Sequence, residues 1–376
     1  MNSNDRKNIR VAHVTTSHNP RDNRIFRKEC RSLSDAGFET FLIAPSEEEF
    51  GEYGVRGIRL RKRGRRLVRL IGGPAEAWWK LMGLRPNVAH FHDPELIPVA
   101  VLIKLFRPKT IVVYDAHEDF PKQVASKPYL PDWSVAFVVK LARVMMMVAR
   151  VSCDWFVAAT PAIARSYPPD RTAVVQNYPW LSDFSTGSAS VSPTFTASFV
   201  GGLNEIRGGL QLLEALDMCR GRVTCVGAGV MSPMISEAAA NSSNFNHLGS
   251  LPAEDVSSVI QQASVGVVCF LPEPNHIESQ PTKLFEYMAA GRPVVCSDFP
   301  LWRELLEPFD CAIFVNPEVP REIADALLRV SDYPEEAMEM GRRARKGFEQ
   351  KFVFDNEAVA LVDFYASKVC GKFVSC

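Results

Sequence analysis

The chain has 376 residues, 47% of them hydrophobic and 23% charged, and its 43 basic and 43 acidic side chains leave no formal net charge. These proportions exclude long disordered, collagen-like and coiled-coil chains, and the charge balance argues against wholesale nucleic-acid binding, which calls for a basic surplus. At about 100–200 residues per domain, the length predicts two domains, each able to bury a core.

Met1–Arg10 is polar and charged, unlike a secretory signal. Val11–Thr15 is an apolar run that ends in a polar loop, Ser17–Asn23. Ile25, Phe26, Cys30 and Leu33 then recur at helical spacing, and Gly37 closes that helix. Phe41–Ala44, Val88–Phe91, Thr110–Tyr114 and Trp155–Ala159 are short β-branched or aromatic runs, each followed by polar residues. The same style resumes at Ser198–Val200, with a Gly-rich loop and a helix over Leu210–Leu216. Further strands are expected at Arg222–Val226, Asn246–Leu248, Val265–Cys269, Pro293–Cys296 and Ala312–Val315. The fold class is therefore α/β, with two doubly wound Rossmann-like domains. The expected boundaries are 1–178, a Ser/Thr/Gly/Pro-rich linker at 179–193, a second domain at 194–350, and a last helix at 351–376. Such domains bind ligands beyond the carboxyl ends of their strands, and two facing one another would make a cleft.

Nine cysteines without a CxxC pair predict reduced thiols and a cytoplasmic protein, with Cys225, Cys269 and Cys296 as small core residues. No run reaches the ~18–20 apolar residues of a membrane span; Val135–Val148 is interrupted by Lys140 and Arg143. That methionine-containing helix, Val135–Val151, reads as core. The basic stretch from Arg56 to Arg69, with Trp78 and Trp79 close behind, suits peripheral binding to an anionic membrane surface. No Asp-x-Asp and no His/Cys group with zinc spacing occurs, so no metal or other cofactor is expected. Gly227-Ala-Gly229 is half of a dinucleotide fingerprint whose third glycine is replaced by Ser232.

The densest chemistry lies in Glu278-Ser-Gln-Pro-Thr-Lys-Leu-Phe-Glu286, followed by Tyr-Met-Ala-Ala-Gly291-Arg-Pro-Val-Val. Pro281 suits a helix start and Gly291 its end. Free amides at that start favour a diphosphate, and carboxylates accept hydrogen bonds from paired hydroxyls. Other motifs recur in order along the chain: His13-Val-Thr-Thr-Ser-His-Asn-Pro-Arg-Asp-Asn-Arg-Ile25, His90-Phe-His-Asp-Pro-Glu95, Tyr114-Asp-Ala-His-Glu-Asp-Phe-Pro121 and Phe199-Val-Gly-Gly202.

Together these motifs resemble retaining glycosyltransferases of family 4, which have the GT-B fold and use nucleotide sugars. The resemblance implies that Glu286 holds the donor ribose, that Glu278 contacts hydroxyls of the transferred sugar, and that His117 lies at the reaction centre. It implies a donor site that also includes Gly201, Gly202, Arg207, Ser279, Gln280, Thr282 and Lys283. His18, Arg21, Asp22, His92, Asp93, Asp115 and Glu118 are expected on the acceptor side, with Arg24 in the same loop as the first three. Many members carry an Arg and a Lys in the Gly-rich loop; here Gly202 and Gly208 stand at those positions, and Arg207 is the base left. The expected reaction moves a sugar from a UDP- or GDP-sugar to a glycan or lipid-linked acceptor in polysaccharide biosynthesis. Alternatives are a sugar-nucleotide 2-epimerase of the same fold, a catalytically inactive partner subunit and, weakest, an NAD-binding oxidoreductase.

Overall fold

A computed structural model of the chain describes residues 6–64, 66–125, 131–184 and 195–371. It divides into two compact units, residues 1–177 with 355–376, and residues 178–354. Part of the expected linker, 185–193, lies outside the described residues. The described part is packed: Trp180 meets Phe354 with ring centroids 4.7 Å apart, and Tyr178, just before it, meets Phe285 and Phe352 at 4.8 and 5.4 Å.

The first unit is built on eight strands: β1 Arg10–Val14, β2 Glu39–Pro45, β3 Gly51–Glu52, β4 Val55–Leu60, β5 Val88–Phe91, β6 Ile111–Ala116, β7 Trp155–Ala158 and β8 Thr172–Val174. Their order is β3-β4-β2-β1-β5-β6-β7-β8, parallel except for β3 against β4. The chain leaves β1 toward β2 and later returns to β5 on its other side. The loops after β1, β5 and β6 therefore gather at the switch point where such sheets bind ligands.

Strand alternation decides which side chains face which layer. Ala12, Val14, Ala89, Phe91, Val112 and Tyr114 join one core with Ala77, Leu81, Ile103, Met146 and Ala149. Those last five come from helices Arg66–Leu84, Ile97–Phe106 and Asp132–Ser152. The strand neighbours that point the other way include His13, His90 and Asp115, all fully buried.

The expected first helix is present but opens as a π-helix, Ile25–Cys30, before α-helix Arg31–Asp35. The N–H of Arg27 bonds to Asp22 O and that of Glu29 to Arg24 O, each five residues back. Such wide turns recur at functional sites; this one sets Lys28 and Glu29 in the interior.

The helix expected as core, Val135–Val151, is only half core. Met146 is buried, whereas Met147 is 52% and Phe137 70% exposed. The basic stretch also differs from a single face. Arg56 and Arg59 lie on β4, and Arg56, Lys62 and Arg63 pair with Glu39, Glu47 and Glu76 at 2.7–3.0 Å. Arg65 and the side chain of Arg66 lie outside the described residues. No described helix is long and apolar enough to cross a membrane.

The second unit has a six-stranded parallel sheet, β11-β10-β9-β12-β13-β14. Its strands are β9 Thr196–Val200, β10 Thr224–Ala228, β11 Phe245–His247, β12 Val265–Val268, β13 Val294–Ser297 and β14 Ala312–Val315. Its switch point lies between β9 and β12. Helix Thr282–Ala289 is pinned beneath that point: Tyr287 Oη donates to Ser198 O on β9 at 2.6 Å. A Cβ on Gly266 would come within 2.2 Å of the Tyr287 ring, so the strand has no side chain there. The eight described cysteines are all buried and free.

Candidate functional site

In the first unit, Asp115 at the end of β6 organises the site. Both its oxygens receive the Arg24 guanidinium, from Nη2 at 2.8 Å and Nε at 3.1 Å. Oδ2 also accepts from His117 Nε2 at 2.6 Å and His92 Nδ1 at 3.0 Å. Burial opposes the charge, but Arg24 and His117 hold the Asp115 carboxyl well below its usual range. With the proton on Nδ1 of His92, its Nε2 accepts from His13 Nδ1 at 2.9 Å. The carboxylate thus sets two histidine tautomers in sequence. His90, the register partner of His13 on the neighbouring strand, meets Tyr365 Oη through Nδ1 at 2.7 Å. Burial lowers the His13, His90 and His92 pKa values, so the three rings are neutral. Burial and the Asp115 charge raise that of Glu29.

Asp93, after β5, ties down the loop after β1. It accepts from Thr15 Oγ1 at 2.7 Å and the Thr16 amide at 2.6 Å, and lies 3.1 Å from His18 Nδ1. Burial opposes its charge, and these bonds still lower its pKa. The same pair raises the His18 pKa against the effect of burial. Glu95 accepts from Thr16 Oγ1 at 2.8 Å.

A cavity of about 600 Å³ opens over these groups, with His18, His92, Asp93, Glu95, His117 and Glu118 in its lining. Of the residues expected on the acceptor side, His18, His92, Asp93 and Glu118 are thus brought together. Asp115 is fully buried, and its oxygens are taken up by Arg24, His92 and His117. His92 is buried too, with both ring nitrogens engaged. Arg21 points outward, 3.7 Å from Glu52. Asp22 accepts the amides of Arg24 and Ile25 at 2.9 Å and so caps the π-helix.

The candidate donor residues lie in the loops after β9 and β12 of the second unit. Gly201 has φ +127°, and Arg207 Nη1 folds back to Gly202 O at 3.3 Å, its guanidinium over the Phe270 ring. Asn204 Oδ1 accepts the Arg207 amide at 3.0 Å. Gly208 has φ +76°, and a Cβ there would come within 2.0 Å of Cys269 O, so this backbone admits no side chain. Glu278 follows the short helix Pro274–Ile277. The Ser279 carbonyl accepts from Trp302 Nε1 at 2.8 Å, which anchors the Ser279–Pro281 loop. Gln280 lies in that loop. Pro281 caps Thr282–Ala289, and Gly291 ends it at φ +66°. Lys283 pairs with the mostly buried Glu286 on the same helix face.

Among the described residues, two groups bring ligand-type atoms within 4.8 Å of one another: His13, Glu29, His90 and His92, and His92, Asp115 and His117. The rings of His13, His90 and His92 stack with centroids 4.5–5.2 Å apart and planes within 36°. Their in-plane lone pairs therefore run side by side rather than converging, and a metal needs convergence. The second group is already joined by hydrogen bonds through Asp115. In the first, His13 Nδ1 meets His92 Nε2, while His13 Nε2, His90 Nε2 and both Glu29 oxygens have no hydrogen-bond partner among the described residues; Glu29 is held by its ion pair with Arg24 at 3.0 Å. Sequence reasoning missed Glu29, His13 and His90 as site components. The signal was present for His13 and His90, each a polar residue inside an apolar run; Glu29 follows Arg27 and Lys28 and carried no such signal.

Residues 194–332, within the second unit, match the family model described as glycosyl transferases group 1. The chain is 24% identical over 273 residues to a D-rhamnosyltransferase, WbpZ, of Pseudomonas aeruginosa. That match covers 71% of this chain and 64% of the relative, less than two thirds of its length. A sucrose-phosphate synthase from Thermosynechococcus elongatus superposes with a TM-score of 0.75 at 15% identity, over 96% of this chain and 100% of that one. Anabaena HepE in complex with UDP and glucose gives 0.74 at 14% identity with the same coverage. These likenesses, with the two parallel sheets, establish the GT-B fold.

Proposed function

We propose that the chain is a retaining GT-B glycosyltransferase of family 4, which moves a sugar from a UDP- or GDP-sugar to an acceptor hydroxyl. One observation carries this reading. The Glu278–Glu286 string sits beyond β12, at the switch point of the unit that matches group 1 glycosyltransferases. In it, Glu286 takes the donor ribose, and Glu278 takes hydroxyls of the transferred sugar. Arg207, Lys283, the backbone at Gly201 and Gly202, and the amides of Gln280 and Thr282 take the diphosphate, without a metal ion; the Ser279 amide already donates to His276 O at 3.1 Å.

The first unit presents the acceptor. His117, oriented by Asp115 and Arg24, faces the transferred sugar and stabilises charge there. The sugar's bond to the leaving phosphate breaks as its bond to the acceptor oxygen forms. The acceptor proton passes to the departing phosphate, because the buried carboxylates of this unit's site are committed, Asp115 to Arg24 and Asp93 to Thr15, Thr16 and His18. WbpZ is named a rhamnosyltransferase and HepE binds UDP and UDP-glucose, which supports a nucleotide-sugar donor. The acceptor is a glycan or lipid-linked precursor in polysaccharide biosynthesis, met at the cytoplasmic face of a membrane.

A thermal-shift panel of UDP- and GDP-sugars tests the donor, followed by mass spectrometry of the product. No stabilisation by any nucleotide sugar refutes the reading. Conversion of the donor alone into its C2 epimer assigns an epimerase instead. Gly202 and Gly208, where relatives hold bases, favour a second reading as an inactive subunit. Donor binding without nucleotide release supports that one.

A further inference from the structure

We propose that the first unit's cavity seats an amphipathic acceptor drawn from a lipid bilayer, with a phosphate on Arg69 and an alkyl chain along Leu70, Phe120, Val124, Val138 and Met145. This rests on the reading above that the first unit receives the acceptor, and it names the acceptor's chemical class.

The lining of the cavity of about 600 Å³ combines two chemistries. One is the His18–Asp93–His117 network, suited to hydroxyls. The other is apolar, those five side chains from helices Arg66–Leu84, Phe120–Ala125 and Asp132–Ser152, with Gln123 among them. A free sugar or small sugar phosphate offers such a wall nothing to bury, whereas an alkyl chain does.

Arg69 stands in this lining. Its Nε is buried and has no hydrogen-bond partner among the described residues. The neighbouring carboxylates do not supply one: Asp93 is committed to Thr15, Thr16 and His18, and Glu95 to Thr16. A buried guanidinium N–H left without an acceptor is costly. A phosphate supplies several acceptor oxygens in the geometry a guanidinium favours.

The helix that forms the apolar wall also shows where the chain comes from. Val138 and Met145 line the cavity, seven residues apart on one face. About a quarter-turn around at 100° per residue, Phe137, Leu141 and Val148 face solvent, with Trp133 and Val151 beyond them at 85% and 88% exposure. Residues 133–152 contain Lys140, Arg143 and Arg150 and no carboxylate. Exposed apolar side chains among bases alone fit the boundary of an anionic membrane. A tail could pass from that layer along the helix into the cavity while its phosphate meets Arg69.

Calorimetry on the full chain tests this with decyl phosphate below its micellar concentration, against decanol and inorganic phosphate. We expect decyl phosphate to bind at least about tenfold more tightly than either fragment, since charge and chain each contribute. Arg69→Ala should lose that charge-dependent gain and Arg69→Lys should recover part of it, with circular dichroism reporting the fold. Val138→Trp, which fills the wall, should abolish the gain from the chain. Equal binding of decyl phosphate and inorganic phosphate overturns the tail seat, and unchanged binding in Arg69→Ala overturns the phosphate seat. A chain that binds a nucleotide sugar but prefers no alkyl phosphate refutes this inference alone. A chain that binds no nucleotide sugar refutes the functional reading instead.

Discussion

His117 and Asp115 share one strand end, two residues apart, and meet through Nε2 and Oδ2 at 2.6 Å while Arg24 grips the far side of the same carboxylate. The imidazole is thereby held by a buried anion that is itself neutralised. His117→Ala should lower turnover by about 10²-fold or more with an unchanged circular dichroism spectrum. Near-normal turnover would remove His117 from the reaction centre. Arg24→Met should act differently, leaving Asp115 buried without its main partner. A loss of about 3–5 kcal/mol in urea unfolding is expected.

Glu286 is mostly buried and joined to Lys283 on one helix face, so its carboxylate has a fixed position. Glu286→Ala should weaken nucleotide-sugar binding by about tenfold, the loss of one charge-assisted bond, with stability little altered. Calorimetry with the best ligand of the thermal-shift panel checks this. Unchanged affinity would place the ribose elsewhere.

Gly208 answers whether a base could be restored to the Gly-rich loop. Because Cys269 O stands 2.0 Å from where its Cβ would be and φ is +76°, Gly208→Lys should not recover a phosphate contact. It should cost about 1–3 kcal/mol of stability through backbone strain. Gly202→Arg meets the movable Arg207 guanidinium at 3.2 Å and Val230 O at an ordinary 3.9 Å and should fold normally. Thermal unfolding of both variants separates the two cases. Equal stability would show that the loop re-forms around a side chain.

Below about pH 6.5 the unfolded chain protonates its histidines, whereas burial keeps His13, His90 and His92 neutral in the native state. The unfolded state then binds more protons, so stability falls as pH drops, by up to about 1.4 kcal/mol per pH unit for each such ring. Two groups oppose this. Glu29, with its raised pKa, and His18, with its own, take up protons in the native state. Their contribution is present at low pH and fades as pH rises through their native values. We expect the urea midpoint to fall between pH 7 and pH 5.5 and the slope to flatten in His90→Gln. A midpoint that rises over that interval would show the rings protonated in the native state.

If the apolar face of helix Asp132–Ser152 seats the protein on a bilayer, Phe137→Ser with Leu141→Ser should reduce flotation with anionic vesicles. Neutralising Arg61, Lys62, Arg63, Arg65 and Arg66 tests the basic stretch separately. Lys62 and Arg63 already pair with Glu47 and Glu76, so the smaller loss is expected there. The opposite ranking would return the membrane contact to the basic stretch.

By itself, the sequence determined the twin parallel sheets and the places where chemistry gathers. Period-two runs, strand-ending polar loops and the Pro281–Gly291 helix signals are local features, written in neighbouring residues. They placed Asp93, His117 and the Glu278 end of the Glu278–Glu286 string after strands, where the structure also has them; the roles given to His117 and the two glutamates came from the resemblance. Only the tertiary structure decided what those residues do to one another. Arg24 and Asp115 are 91 positions apart, and no spacing along the chain says that one will neutralise the other. A π-turn that one-dimensional periodicity reads as ordinary helix turned Glu29 inward. Helix Asp132–Ser152 looked like core because its apolar content is high all round. Whether such a helix is covered depends on what packs over it, and here helices Ile97–Phe106 and Phe120–Ala125 and the core they share cover one side, leaving Phe137, Leu141 and Val151 exposed. Pairing and burial are relations between distant segments, so they exist only once the chain has folded.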